Sequence, residues 1–328
     1  MQKSKLGHSG MEVSALGLGC MGMSEFYGQT DDRESLATLE AAYTAGVTLF
    51  DTADSYGIGH NEELIARFLK GKRNEVHIAT KFGLVRKAGS YERRVDSSPA
   101  YIAAACEASL KRLGVETIDL YYAHRLNLET PLEESMEALA QLARQGKIRA
   151  IGLCEVSPAT LLRAASLHPI AAVQSEYSLW TRDPELGVLD ACREVGASFF
   201  AYSPLGRGFL TGKLADAPGF DDKDFRSLNP RFAEENMRQN LRIVDIVKSM
   251  AAEKNCTPAQ LALAWLLAQG RDIIPIPGTR RIRYLQENLE TLQVALSEAE
   301  LSRISDALPL GIAAGERYSA EGMKGLNA

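Results

Sequence analysis

Short apolar runs recur along the chain, and each is followed by a stretch whose apolar residues return every three or four positions. The runs are SALGLGC (14–20), VTLFD (47–51), VHIATK (76–81), IDLYYAH (118–124), IRAIGL (148–153), IAAVQSEY (170–177), ASFFAYSP (197–204) and DIIPIPG (272–278). They are continuous rather than alternating, and rich in β-branched and aromatic residues. That pattern predicts strands of a parallel sheet covered on both faces. The intervening stretches carry helix signals. Asp31 with Glu34, and Thr130-Pro131-Leu132-Glu133, predict capping boxes. Ser98-Pro99, Ser157-Pro158, Asp183-Pro184 and Thr257-Pro258 predict a capping residue followed by proline at the first helical position. Gly46, Gly71, Gly114, Gly146 and Gly196 fall where C-terminal caps belong.

Eight strand–helix repeats without a dividing linker predict a (β/α)8 barrel, one domain over residues 1–328, rather than an open doubly wound sheet. The leading KLGHSGMEV (5–13) predicts a hairpin turning at His8-Ser9-Gly10 and plugging the barrel bottom. The stretch 206–232 is too long for a simple connection and predicts a lid or binding loop. The tail, 309–328, is rich in glycine and alanine and has no firm pattern.

Composition narrows the function classes. Among the 328 residues, 45% are hydrophobic, enough for a large core, and the net charge of −5 comes without any basic block. Nucleic acid and anionic membrane are therefore poor partners. No apolar run reaches membrane-spanning length and no leader pattern stands at the start, so a cytoplasmic protein is expected. The five cysteines are scattered without CxxC spacing, which argues against a disulfide framework and against a metal site.

In such barrels the chemistry sits at the C-terminal ends of the strands. Those ends carry Asp51, Lys81, His124, Glu155, Gln174, Tyr202 and Gly278-Thr279, and Tyr56 lies one short loop beyond Asp51. An acid, a lysine and a histidine delivered by successive strands, with a phenol beside them, form a proton-donating group. The lysine cation favours the phenolate and is expected to bring Tyr56 nearer to cellular pH, while the carboxylate keeps the lysine charged. His124 is placed to orient a substrate oxygen. No GxSxG nucleophile and no metal cluster accompany them, so a hydride has to come from a cofactor.

The chain resembles the aldo-keto reductases over essentially its whole length. The resemblance is carried by DTADSYG (51–57), ATKFG (79–83), DLYYAHR (119–125), IGLCEVS (151–157), VQSEYSL (173–179), AYSPLGRG (201–208) and IPIPGTRRIRYLQEN (274–288). ELIARFLKG and PRFAEENMRQNL point to the longer bacterial branch. The resemblance implies a (β/α)8 barrel that binds NADPH/NADP+, acts on small-molecule carbonyl substrates and uses Asp51, Tyr56, Lys81 and His124 as its catalytic tetrad. It further implies that Gln174 holds the nicotinamide carboxamide and Tyr202 stacks on the ring, that Ser203, Leu205 and Arg207 line the pyrophosphate path, and that Thr279 and Arg280 meet the 2′-phosphate, with Gly278 also in the cofactor site and Gln286 and Asn288 near the adenosine. A helix opening at Gly278-Thr279-Arg280-Arg281 also suits a phosphate on physical grounds, which favours NADP over NAD. Cys154-Glu155 stands in the cofactor region where much of the family has Ser-Asn or Ser-Glu, and a thiol is the weaker hydrogen-bond partner. Tyr27, Phe82, Arg125 and Trp180 are candidates for the substrate wall, with Trp180 equally suited to packing. Two rival readings stand beside this one: a cofactor-binding regulatory subunit with little turnover, as in channel-associated relatives, and a lyase using Lys81 as a Schiff-base nucleophile.

Overall fold

The computed structural model describes residues 1–87, 93–127, 129–214, 220 and 224–326. Twelve strands are present among them: β1 (Lys3–Lys5), β2 (Glu12–Ser14), β3 (Leu18–Gly19), β4 (Leu49–Asp51), β5 (His77–Phe82), β6 (Leu84–Arg86), β7 (Arg93–Val95), β8 (Ile118–Ala123), β9 (Ile148–Cys154), β10 (Ala172–Glu176), β11 (Ser198–Tyr202) and β12 (Ile273–Pro275). Eight of these, β3, β4, β5, β8, β9, β10, β11 and β12, form one parallel sheet in that spatial order. The sheet curls shut where Gly19 bridges Gly278 in parallel fashion, supported by Gly17 N–H to Pro275 O at 3.0 Å. A Cβ on Gly19 would lie 2.8 Å from the Ile276 carbonyl oxygen, so only glycine permits this closure. All eight predicted runs are strands of the barrel.

Strand alternation decides what faces the barrel axis. Leu49, Ala79, Leu120, Ala150, Ala172, Phe200 and Ile274 pack together inside the barrel, with Leu6 and Val13 of the N-terminal hairpin closing its base. Their outward neighbours, such as Phe50, Ile78, Tyr121, Ile151, Val173, Phe199 and Ile273, join the larger core beneath the helices. Two residues beyond the inner layer, on the same face, come Asp51, Lys81, Tyr122, Gly152, Gln174, Tyr202 and Ile276. The functional rim is thus the top layer of the same periodicity that builds the core.

The helices that cover the barrel are α1 (Asp32–Thr44), α2 (His60–Phe68), α3 (Pro99–Leu113), α4 (Leu132–Arg144), α5 (Pro158–Leu167), α6 (Val188–Val195), α7 (Glu234–Glu253), α8 (Pro258–Leu267), α9 (Ile282–Glu290) and α10 (Glu298–Ala307), and a short α11 (Ala320–Met323) lies in the tail. Ser98, Ser157 and Thr257 cap α3, α5 and α8 with proline following, as expected, and Thr257 forms a full capping box with Gln260. Three expectations fail, at least in part. Pro131 rather than Thr130 occupies the N-cap of α4, without a side-chain bond, because Pro131 takes an extended ψ of 135°. Asp183-Pro184 opens only a short 3-10 turn. Asp31 caps α1 through Arg33 and Glu34 N–H groups, with no return bond from the Glu34 side chain.

Three excursions rise above the rim. The antiparallel pair β6–β7 follows the third barrel strand. The described parts of 206–232 cross the mouth and meet the segment after β3: Phe225 N–H donates to Phe26 O at 3.0 Å, and their rings meet edge to face at 5.8 Å. The tail then returns across the opening, where Asn229 donates to Arg317 O at 2.6 Å and Asn240 binds Ala314 through both N–H and C=O.

Candidate active site

At the C-terminal mouth lies a cavity of about 1160 Å³, lined by strand ends and by all three excursions. At its floor Lys81, fully buried, uses all three ammonium protons. It donates to Asp51 Oδ1 at 2.5 Å, to Thr52 O at 2.8 Å and to Tyr56 Oη at 3.2 Å. A buried ammonium is costly unless it is paired and fully bonded, and here both conditions hold. The His124 ring stands edge-on to Tyr56 with centroids 5.9 Å apart. The four groups expected to converge do so, with Asp51, Tyr56 and His124 lining the cavity.

The protonation states follow from burial and charge. Burial pulls Lys81 toward the neutral form, but Asp51 and Tyr56 outweigh it and hold the lysine above its ordinary value, so it is a cation. Tyr56 departs from expectation. Burial lifts its phenol well above the usual range, and the lowering pull of Lys81 only partly offsets this. The resting group is therefore a neutral hydroxyl. His124 is driven well below its ordinary value, first by burial and then by Lys81, Arg125 and Arg93, so its ring is neutral. Its Nδ1 is buried without a partner.

The rest of the cavity separates the other sequence candidates. Cys154, Gln174, Tyr202, Ser203, Leu205, Arg207, Gly278, Thr279, Arg280 and Asn288 line it, as do Tyr27 and Arg125. Gln174 donates Nε2 to Asp51 Oδ2 at 2.8 Å, which ties it to the floor. Glu155 lies beneath the surface instead, where it takes Tyr202 Oη at 2.7 Å, two bonds from Arg317 at 3.1 Å and the Glu176 N–H at 3.0 Å. Gln286 is exposed outside the lining, while its neighbours Tyr284, Glu287 and Asn288 face inward. Phe82 and Trp180 do not reach the cavity. Phe82 follows Lys81 on the strand, so it points outward and packs on Tyr121 with centroids 5.0 Å apart. Trp180 lies under the long loop, stacked on Phe209 at 4.6 Å.

Several lining residues had no sequence signal. Tyr318 reaches from the tail to place its hydroxyl 2.7 Å from that of Tyr202. Arg86 and Arg93 come from the β6–β7 hairpin, and Phe225 and Arg226 from the long loop. Lys213 bonds Glu287 at 3.2 Å and lies over the Tyr284 ring at 4.4 Å, bridging the loop to α9.

The residues present fit a dinucleotide. The long cavity runs from Asp51 and Tyr56 to Thr279, Arg280 and Arg281. Arg207, in a left-handed conformation at φ 57°, is held by Glu176 through Nη2 at 3.0 Å and keeps a buried Nη1 without a partner. The N-terminus of α9 has no side-chain cap, which leaves peptide N–H groups for an anion. No group of three or more metal-ligating side chains is found among the described residues, and no described helix is long and apolar enough to cross a membrane.

Comparison with known proteins agrees with this geometry. The model of the Aldo/keto reductase family matches residues 15–309. A probable aldo-keto reductase 1 of Glycine max is 45% identical over 322 residues, covering 97% of this chain and 92% of that protein. The Schizosaccharomyces pombe aldo-keto reductase yakc, whose name carries NADP(+), is 46% identical over 311 residues, covering 93% and 92%. Among solved structures, a glycerol dehydrogenase from Gluconobacter oxydans superposes with a TM-score of 0.85 at 32% identity, covering 93% of this chain and 94% of that one. A Bacillus halodurans aldo-keto reductase in holo form gives a TM-score of 0.78 at 26% identity, covering 98% and 99%. With a barrel that closes at Gly19, four polar groups gathered at its mouth and relatives matched nearly end to end, the chain belongs to the aldo/keto reductase family of oxidoreductases.

Proposed function

We propose that the protein is an NADPH-dependent reductase of aldehydes and ketones, with Tyr56 as the proton donor. A bound reduced nicotinamide supplies the hydride. The protein supplies a proton at the Tyr56 hydroxyl, a neutral His124 ring to hold the carbonyl oxygen, and a fixed cation at Lys81 that stabilises charge developing on the phenol. Asp51 fixes the lysine from the other side and is itself held by Gln174. The observation that carries the reading is the Lys81 ammonium hydrogen-bonded at once to Asp51 and to Tyr56. Gln174, Ser203, Leu205 and Arg207 line one end of the cavity, which supports their holding the nicotinamide and pyrophosphate, and Thr279, Arg280 and Arg281 line the other, which supports a 2′-phosphate there and NADP over NAD.

The Schiff-base reading is disfavoured because Lys81 is charged and each of its protons is bonded, so no lone pair is free to attack. Following the absorbance of reduced nicotinamide over a carbonyl panel, with NADPH against NADH, tests the proposal. Turnover with NADPH is expected. Tight cofactor binding with no turnover anywhere in the panel would favour a regulatory subunit instead.

A further inference from the structure

The cavity is lined by eight arginines and lysines, and most have acid partners. Arg86 pairs with Glu25, Arg207 with Glu176, Lys213 with Glu287 and Arg226 with Asp224. Arg280 and Arg281 approach Glu34 at 3.9 and 3.8 Å. Arg125 and Arg93 form no ion pair among the described residues. Arg125 is only 5% exposed, and its Nε is buried without a partner. Its bond is from Nη1 to the His124 carbonyl oxygen at 2.6 Å, which fixes the guanidinium one residue from the candidate oxygen-binding histidine. Glu155, the buried acid whose charge reaches Arg125, is already bonded to Arg317, Tyr202 and a backbone N–H. Glu321, at the cavity edge near Arg93, is spent on Lys324 at 2.8 Å. The two arginines also feel each other, since burial first and then Arg125 push Arg93 below its ordinary value. The tail lies over both. A Cβ on Gly322 would sit 3.5 Å from Arg93 Nη2, and one on Gly325 would sit 3.6 Å from Arg125 Cδ.

Burial disfavours the Arg125 cation, and the charges of Tyr202 and Glu155 support it only through space, so its spare donors meet no acid directly; a buried guanidinium in that state gains on binding an anion. We propose that the carbonyl substrate carries an oxyanion group, a carboxylate or phosphate, seated on Arg125 with Arg93 beside it, a few bonds from the carbonyl held at His124. This deepens the reductase reading and rests on it. Arg125 recognises the anion by paired N–H donors, and Arg93, on the more open hairpin, meets it from the solvent side. The preferred substrates are therefore short oxo acids or their phosphate counterparts rather than neutral aldehydes of the same size.

The test uses matched aldehydes on the cofactor-loaded enzyme: 4-carboxybenzaldehyde and 4-formylphenyl phosphate, each against methyl 4-formylbenzoate. At least one anionic aldehyde should exceed the ester in kcat/KM by about tenfold or more, the scale of a charge-assisted pair, and the arm that wins identifies the group. Arg125→Gln and Arg93→Gln should each lower that ratio. Using the ratio cancels any general loss from disturbing His124, and Arg93→Gln decides alone if Arg125→Gln fails to fold. A ratio at or below one, or one unchanged in the variants, overturns the proposal. If no aldehyde is turned over, the reductase reading falls and the anion seat is judged separately by calorimetry. Benzoate must then bind the NADP+-loaded protein more tightly than benzamide, and lose that margin in Arg93→Gln.

Discussion

Glu155 and Arg317, 162 residues apart, form a buried two-pronged ion pair with both bonds at 3.1 Å. The pair joins the end of β9 to the tail, and its acid also fixes Tyr202. Arg317 is held above its ordinary value despite burial, because Glu155 faces it. Arg317→Ala leaves Glu155 buried without its cation, a loss expected to cost about 3 kcal/mol or more. Urea unfolding should show a lower midpoint. Replacing both members, as Glu155→Gln with Arg317→Leu, should cost less than Arg317→Ala alone.

Tyr56→Phe removes the proton while keeping the ring. We expect kcat to fall by roughly 10² to 10⁴, with the affinity for NADPH, measured by fluorescence quenching, nearly unchanged. Equal losses in both would assign Tyr56 to cofactor binding.

The pH dependence follows from His124 and Tyr56. The folded value of His124 lies below its unfolded value of about 6.5, so the unfolded chain binds the proton first and stability declines as pH falls from about 6.5 toward that lower value. Above this range His124 is neutral in both states and contributes no slope. Carbonyl reduction should therefore be level between about pH 6.5 and 8, and its alkaline fall, when the raised Tyr56 phenol ionises, should lie beyond about pH 10. A fall centred near pH 7 in kcat would contradict these assignments.

Gly152→Ala tests the packing under the site. Gly152 shares the inner face with Tyr122, and an added Cβ would come within 2.4 Å of two of its ring carbons. Both residues are enclosed by strands, so relief requires a backbone shift, with an expected cost of about 1–3 kcal/mol in thermal unfolding.

Much of this was legible in the chain because barrel strands are buried on both faces and read as unbroken apolar runs. Asp51, Lys81 and His124 stood out as charged or polar groups ending such runs. Phe82, a candidate for the substrate wall, is turned outward by strand alternation, and packs away from the cavity. Trp180 belonged to the packing under a loop whose path carries no periodic signal. Tyr318 and the Arg93 of the hairpin were invisible for a related reason. Their placement depends on contacts with residues far away in the chain, and nothing in their immediate neighbours encodes those contacts. The phenol's raised proton affinity is not legible in the sequence, which shows the neighbouring cation but not the depth of burial that opposes it.

The groups at the floor of the mouth stand at β-strand ends and on the short turn after β4, whereas walls of the mouth come also from the β6–β7 hairpin, the long loop and the tail. Chemistry and selectivity are therefore separable inheritances. A graft of one of these three segments from a relative should change which molecules enter the mouth while the Lys81-centred floor is carried over intact.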